Sequence, residues 1–212
     1  MRDEHVDERE VKGLKAYIYM DECASDPRGD DNLGTMICFH RRYGLGDKHQ
    51  FSSPEEFMEW WKEEGKGGVI LPLFLMDHSG ISMSTSSYHD KWDSGQVGFI
   101  YILAEKIRKE YSIKRLTDKV REKVTAYLTS EVNIYSDYIS GEVYGYKLVD
   151  PATDEELDSC WGFYGHDEKY MWQTIEEQAA YFRFTLDEEA AWEEHERRRN
   201  EQLVLPFEEE VA

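Results

Sequence analysis

Cysteine and long apolar runs are scarce in this sequence of 212 residues. The three cysteines, Cys23, Cys38 and Cys160, are widely spaced and form no CxxC pair, so neither a disulfide framework nor a structural zinc site is expected. No apolar run approaches the roughly 20 residues that a membrane-spanning helix needs. The first residues contain no apolar core of a signal peptide. We therefore expect a soluble, cytoplasmic protein without a membrane partner.

Basic residues are also few, 25 against 45 acidic residues, which gives a formal net charge of −20. The distribution is uneven. Residues 105–123 contain eight basic and four acidic side chains, whereas residues 131–212 contain 22 acidic and six basic ones. A field of this sign disfavours direct binding of nucleic-acid phosphates and favours basic protein partners. The acidic region is therefore interpreted either as a solubilising surface or as a face that competes with DNA for a basic groove.

Two apolar runs of strand length, within residues 69–76 and 97–103, predict adjacent buried strands at the centre of the fold. Ser53 and Pro54 predict the start of a helix, and the turn formers of residues 150–154 predict a β-hairpin. Further helices are predicted over 117–128, over 130–139 and from Asp167, with a last helix over 186–202 capped by Thr185 and Glu188. The predicted fold class is α+β: a single domain with a mixed or antiparallel sheet and packed helices. Residues 1–185 form the core domain, and residues 186–212 form an acidic helical extension and tail.

Polar residues between the two central strands are candidates for catalysis. Asp77, His78 and Asp93 are expected to gather at strand ends, where a histidine beside carboxylates can act as a general base or a metal ligand. No HExxH pattern and no G-x-S-x-G elbow completes such a site, and neither a GxGxxG motif nor a P-loop is present. Turn formation explains the same residues, so an enzyme is the alternative interpretation rather than the preferred one.

The loop of residues 25–32 carries Asp26, Asp30 and Asp31, whose carboxylates offer the oxygen ligands that Mg²⁺ prefers. Their spacing does not fit the EF-hand pattern, and Arg28 lies within the cluster and could neutralise it. Turn formation again accounts for Asp and Asn here. We expect no cofactor, and the alternative is a Mg²⁺ or Mn²⁺ site on this loop.

An apolar segment, Gln202-Leu203-Val204-Leu205-Pro206-Phe207, follows the highly charged last helix and precedes Glu208-Glu209-Glu210. This hexapeptide resembles the Q-L-x-L-x-F motif by which many bacterial replication and repair proteins dock on the DNA polymerase sliding clamp. All four specified positions match: Gln202, Leu203, Leu205 and Phe207. The resemblance implies polar contacts from Gln202 at the pocket edge and apolar contacts from Leu205 and Phe207 on its floor. The alternative is that this segment folds back onto the domain as a terminal strand.

The body of the chain resembles small uncharacterised proteins encoded by bacteriophages and mobile elements, through residues 26–34 and 92–98. The resemblance carries no known activity, but small acidic proteins of such elements often inhibit host restriction or CRISPR systems, some by mimicking DNA. The expected function is therefore a non-enzymatic, anti-defence binding protein in a bacterial host cell. It would bind a basic DNA-handling or defence protein, with its tail on the sliding clamp. The alternatives are a metal-dependent hydrolase or nuclease and a clamp-tethered replication accessory factor.

Overall fold

The computed structural model describes residues 5–90 and 92–203, apart from the side chains of residues 166, 202 and 203. The fold is α+β, as predicted, with four helices and two antiparallel four-stranded sheets in the described residues. The strands are β1 Asp7–Val11, β2 Leu14–Met20, β3 Thr35–Cys38, β4 Val69–Asp77, β5 Ile81–Ser84, β6 Ser94–Ile102, β7 Val143–Asp150 and β8 Glu155–Tyr164. The α-helices are α1 Pro54–Glu64, α2 Ala104–Glu110, α3 Asp118–Ser140 and α4 Glu168–Leu203. Within the described residues no helix has both the length and the apolar character to cross a bilayer.

The chain divides into two compact units. Unit 1 holds the described residues of Met1–Met20, Tyr144–Phe163 and Asp167–Ala212, and unit 2 holds Asp21–Val143 with Tyr164–His166. The predicted boundary at residue 186 falls inside α4, which is one continuous helix.

Unit 1 packs α4 against one face of the sheet β1-β2-β7-β8. Its first hairpin turns through Lys12 and Gly13, whose φ angles of 54° and 79° give the left-handed backbone that two-residue hairpin turns favour. Alternate residues of β2 and residues at helical spacing on α4 point into the same core. The buried residues of this core are Leu14, Ala16, Ile18, Tyr146, Leu148, Phe163, Met171, Ile175 and Ala179.

Unit 2 is built on the sheet β3-β6-β4-β5, one face of which is covered by α3. The two central runs pair as predicted: β4 and β6 are antiparallel neighbours, with Leu71 opposite Ile100. Helix α1 begins as predicted, since the Ser53 hydroxyl accepts from the Glu56 N–H at 3.2 Å. Phe57 of α1 is fully buried, and its ring lies 5.2 Å from those of Phe99 and Tyr101 on β6.

Two helices are longer than the sequence predicted. The helices predicted over 117–128 and 130–139 form the single helix α3, for which Thr117 is the N-cap and Gly141, with a φ of 77°, is the C-cap. The predicted cap at Thr185 and Glu188 is wrong, because the Thr185 hydroxyl donates to the Tyr181 carbonyl at 3.1 Å inside α4. Thr129 of α3 bonds back to Thr125 in the same way at 2.9 Å. These hydroxyl groups therefore find partners within the helix and do not end it.

Candidate functional site

The polar residues at the ends of β4 and β6 converge in unit 2. Residue Met76 pairs with Ser94, and the Asp77 N–H donates to the Asp93 carbonyl at 2.8 Å, so the two strand ends lie side by side. The β4–β5 hairpin turns at Ser79, which has a φ of 56°. This arrangement brings the His78 ring next to the Asp93 carboxylate.

The contact between His78 and Asp93 is short, 2.7 Å from Nδ1 to Oδ2. When the Nδ1–H of a neutral ring donates to this carboxylate, Nε2 is left as the proton acceptor, which is the tautomer that a general base needs. The pair is open to solvent, with 70% of the His78 side chain exposed. An ion pair this exposed contributes at most about 1 kcal/mol to stability.

Asp77 has its own partners. Its carboxylate accepts from Arg42 at 3.2 Å and from the Tyr43 hydroxyl at 3.3 Å. The Tyr43 ring stacks on His40 with ring centres 5.0 Å apart, and the Nδ1 of His40 accepts from the Tyr43 N–H at 3.2 Å. The Asp77 carboxylate therefore lies between a guanidinium and a phenol, and these partners are separate from the His78–Asp93 pair.

Asp77, Asp93, Arg42 and His40 line an open pocket of about 450 Å³ together with Trp92, a residue that is 96% exposed, whereas His78 is not part of the lining. The pocket does not enclose a reacting group in the way that most active sites do. Of the two serines near it, Ser94 donates its hydroxyl to the Asp90 carbonyl, and Ser79 does not line the pocket. The pocket can hold a water or a ligand beside Asp93, but its described lining presents no activated nucleophile, and His78 faces solvent outside that lining.

The polar side chains of the acidic loop, residues 25–32, form hydrogen bonds within the loop itself. The Asp26 carboxylate accepts from the Arg28 N–H at 2.8 Å, and the Asn32 side chain donates to the Pro27 carbonyl at 2.8 Å. In residues 5–90 and 92–203, no group of three or more His, Cys, Asp or Glu side chains could hold a metal ion. The structure thus does not bring Asp26, Asp30 and Asp31 together as a ligand set.

The side chain of Arg28 points away from the acidic loop and forms part of a buried ionic network. The sequence did not predict this network. Its guanidinium donates to Asp47 at 2.8 and 2.7 Å and to Glu131 at 3.2 Å, and only 5% and 6% of the Arg28 and Glu131 side chains are exposed. Glu131 also accepts from the Leu33 N–H at 2.6 Å. The available signal was the position of Glu131, which shares the apolar face of α3 with Val124 and Leu128.

Cys38 lies beside this network as an unreactive group. Burial, followed by the charge of Asp47, raises the pKa of its thiol to about 12. A thiol of this pKa is almost entirely protonated at neutral pH, so it is a poor nucleophile.

The predicted clamp-binding residues fall at the edge of what the structure describes. The backbones of Gln202 and Leu203 form the end of α4, whereas their side chains and all of Leu205 and Phe207 lie outside the described residues. The preceding part of α4 is described. From Asp187 to Glu201 every side chain is exposed except that of Glu196, which is half-buried.

No protein-family model, no curated protein and no solved structure matches the chain.

Proposed function

We propose that the protein is a non-enzymatic binding protein that docks on the bacterial sliding clamp through the hexapeptide Gln202–Phe207. The observation that carries the proposal is the exposed course of α4, whose helical residues run into the first two positions of the hexapeptide. A docking peptide must be accessible to its partner, and an exposed helix that leads to it provides this access. The core of unit 1 takes its last buried side chain from Ala179, so its packing does not depend on the far end of α4.

The proposed binding mode is an extended segment that places alternate side chains in a pocket. Leu205 and Phe207 supply the apolar contacts, and Gln202 supplies the polar ones. An extended conformation requires Gln202 and Leu203 to leave the last turn of α4. Helix ends fray readily, so this change costs little.

The acidic body is proposed to act on a basic DNA-handling or defence protein once the tail is docked. Unit 1 has 24 acidic and 10 basic residues, a balance of −14. Complementary charge of this kind speeds association and selects basic partners. A DNA-mimicking form of this proposal has weaker support from α4, because Arg197, Arg198 and Arg199 follow the acidic residues and pair with Glu194 and Glu196. An unbroken row of free carboxylates is therefore not present on that helix.

The hydrolase alternative rests on the His78–Asp93 contact. It lacks an enclosed pocket, and the described residues supply neither an activated nucleophile nor a cluster of metal ligands. The observations therefore favour binding over catalysis as the proposed function.

The test is binding of the purified full chain to a bacterial sliding clamp, measured by calorimetry. We expect micromolar or tighter binding by the wild type and its loss in the variant Leu205→Ala/Phe207→Ala. The matched control is Val204→Ala/Pro206→Ala, which changes the two free positions of the motif and should retain binding. Equal loss in both variants, or no binding by the wild type, would contradict the proposal.

A further inference from the structure

One surface of unit 2 is basic although the whole chain is strongly acidic. It is formed by α2, the connection after it and the first turns of α3, with eight basic and four acidic residues between positions 105 and 123. Seven of the eight basic residues are exposed, and Arg121 is half-buried. The seven exposed residues, called the basic surface below, are Lys106, Arg108, Lys109, Lys114, Arg115, Lys119 and Lys123.

The basic surface keeps an excess of positive charge, since residues 105–123 carry eight basic side chains against the exposed Glu105, Glu110, Asp118 and Glu122. Among the described residues, no ion pair involves any member of it. Lys106 donates to the backbone carbonyl of Asn32 at 2.9 Å, and a carbonyl does not cancel its charge. Elsewhere in the chain the arginines behave differently: Arg28, Arg42 and Arg183 each contact a carboxylate.

An exposed aromatic side chain adjoins the basic surface. Lys119, Lys123 and Tyr127 follow each other at intervals of four residues on α3, so they share one face of the helix. Tyr127 is 55% exposed. Cationic side chains with an aromatic ring among them are the combination that binds a phosphate backbone and stacks on a base.

We propose that the basic surface binds the phosphodiester backbone of nucleic acid, with Tyr127 beside it. A polynucleotide is favoured over an acidic protein because its dense charge holds condensed counterions, and their release drives the binding of even a few lysines. Within residues 105–123 the local balance is +4, although the whole chain is acidic. At physiological salt the Debye length is about 8 Å, so charges farther than this from the bound phosphates are largely screened.

This inference does not depend on the hexapeptide, and it revises the expectation from net charge that the protein has no direct contact with nucleic acid. The net charge describes the average of the molecule, whereas binding is decided by the local surface. A weak, local site of this kind would engage DNA mainly when another contact brings the protein close to it.

The test is fluorescence anisotropy of a labelled 20-nucleotide DNA, single-stranded and as a duplex, titrated with the full chain at several salt concentrations. If four to six phosphates of the duplex are contacted, the slope of about −0.9 per phosphate predicts a rise in Kd of about 150- to 1,800-fold between 50 and 200 mM salt. The variant Lys114→Ala/Lys119→Ala/Lys123→Ala should bind at least about tenfold more weakly at the lower salt, since it removes half or more of these contacts.

The matched control is Arg197→Ala/Arg198→Ala/Arg199→Ala, which removes the same number of exposed positive charges from a helix that is not part of the basic surface. If binding is local to the basic surface, this control should change Kd by less than about threefold. Circular dichroism verifies that both variants are folded. Equal weakening in the two variants would show a net-charge effect and overturn the proposal, as would no binding by the wild type at 50 mM salt. Self-association without DNA that only the lysine variant abolishes would identify a second copy as the partner and also overturn it. The assay contains no clamp, so its failure is separate from a failure of the docking proposal.

Discussion

Units 1 and 2 use charge in opposite ways. Unit 1 is the more acidic, with 24 acidic and 10 basic residues against 21 and 15 in unit 2. Its described ion pairs nevertheless lie at the surface, as for Arg183 with Asp187. Unit 2 instead buries Arg28 between Asp47 and Glu131. Since burial decides how much a charge contributes, the stability of the less acidic unit should depend more strongly on its charged residues.

The largest effect is expected at Glu131. Replacing it with alanine leaves the buried Arg28 with one carboxylate fewer and leaves the N–H groups of Leu33 and Gly34 without their acceptor. We expect Glu131→Ala to lower the unfolding free energy of unit 2 by about 3–5 kcal/mol. Urea denaturation followed by hydrogen-exchange mass spectrometry measures this change for each unit separately.

The control for this prediction is Glu122→Ala, which removes an exposed carboxylate from the same helix. Its effect should stay within about 0.5 kcal/mol. Similar losses in the two variants would show that the buried network contributes no more than a surface charge and would remove the contrast between the units.

Sequence reasoning predicted the elements whose signals are local. The start of α1 follows from Ser53 and Pro54, the β7–β8 hairpin from the turn formers at 150–154, and the pairing of β4 with β6 from two apolar runs. It also placed His78 and Asp93 together, because His78 follows the end of β4 and Asp93 precedes the start of β6. In each case the sequence signal itself is short: a helix cap, a turn or an apolar run.

The remaining features depend on distant partners. Arg28 lies 19 residues from Asp47 and 103 residues from Glu131 in the sequence, so no local sequence pattern predicts their ionic network. The continuity of α4 was missed because Thr185 followed by Glu188 has the sequence of a capping box, whereas its hydroxyl bonds backward to Tyr181. The role of Gln202–Phe207 stays a prediction, since most of that segment lies outside the described residues.

A second, smaller effect is expected from the hydrogen bond between Tyr146 and Asp158 in unit 1. Tyr146 is 1% exposed, and its hydroxyl donates to the Asp158 carboxylate at 2.6 Å. Removing this hydroxyl in Tyr146→Phe should cost about 1.5–3 kcal/mol, the range for hydrogen bonds to charged groups. Thermal unfolding of this variant is compared with that of Tyr181→Phe, whose exposed ring predicts a change below about 0.5 kcal/mol.

The same contact predicts how the stability of unit 1 depends on pH. Burial and the Asp158 carboxylate raise the pKa of Tyr146 above its ordinary value of 10.0. Because the folded state favours the protonated phenol, its contribution is complete below pH 10 and decreases as the pH rises through the folded-state pKa. Wild-type unit 1 should lose stability in this alkaline window, and Tyr146→Phe should lack that component. An identical alkaline decline in both proteins would contradict the assignment.

The smallest effect on stability is expected from charge removal on the exposed part of α4, because the ion pairs there are solvated whereas that of Glu131 is buried. Glu194 contacts both Arg197 and Arg198, at three and four residues along the helix. Pairs of this kind stabilise a helix by only about 0.2–0.5 kcal/mol each, and salt screens them. Glu194→Gln should therefore lower the hydrogen-exchange protection of residues 190–200 slightly at low salt and not at high salt.

The control Glu189→Gln removes a carboxylate that has Glu193 four residues onward, so its loss should be neutral or slightly stabilising. A loss of stability in Glu194→Gln as large as that in Glu131→Ala would contradict this prediction. It would mean that the charges of α4 make tertiary contacts in addition to pairs within the helix.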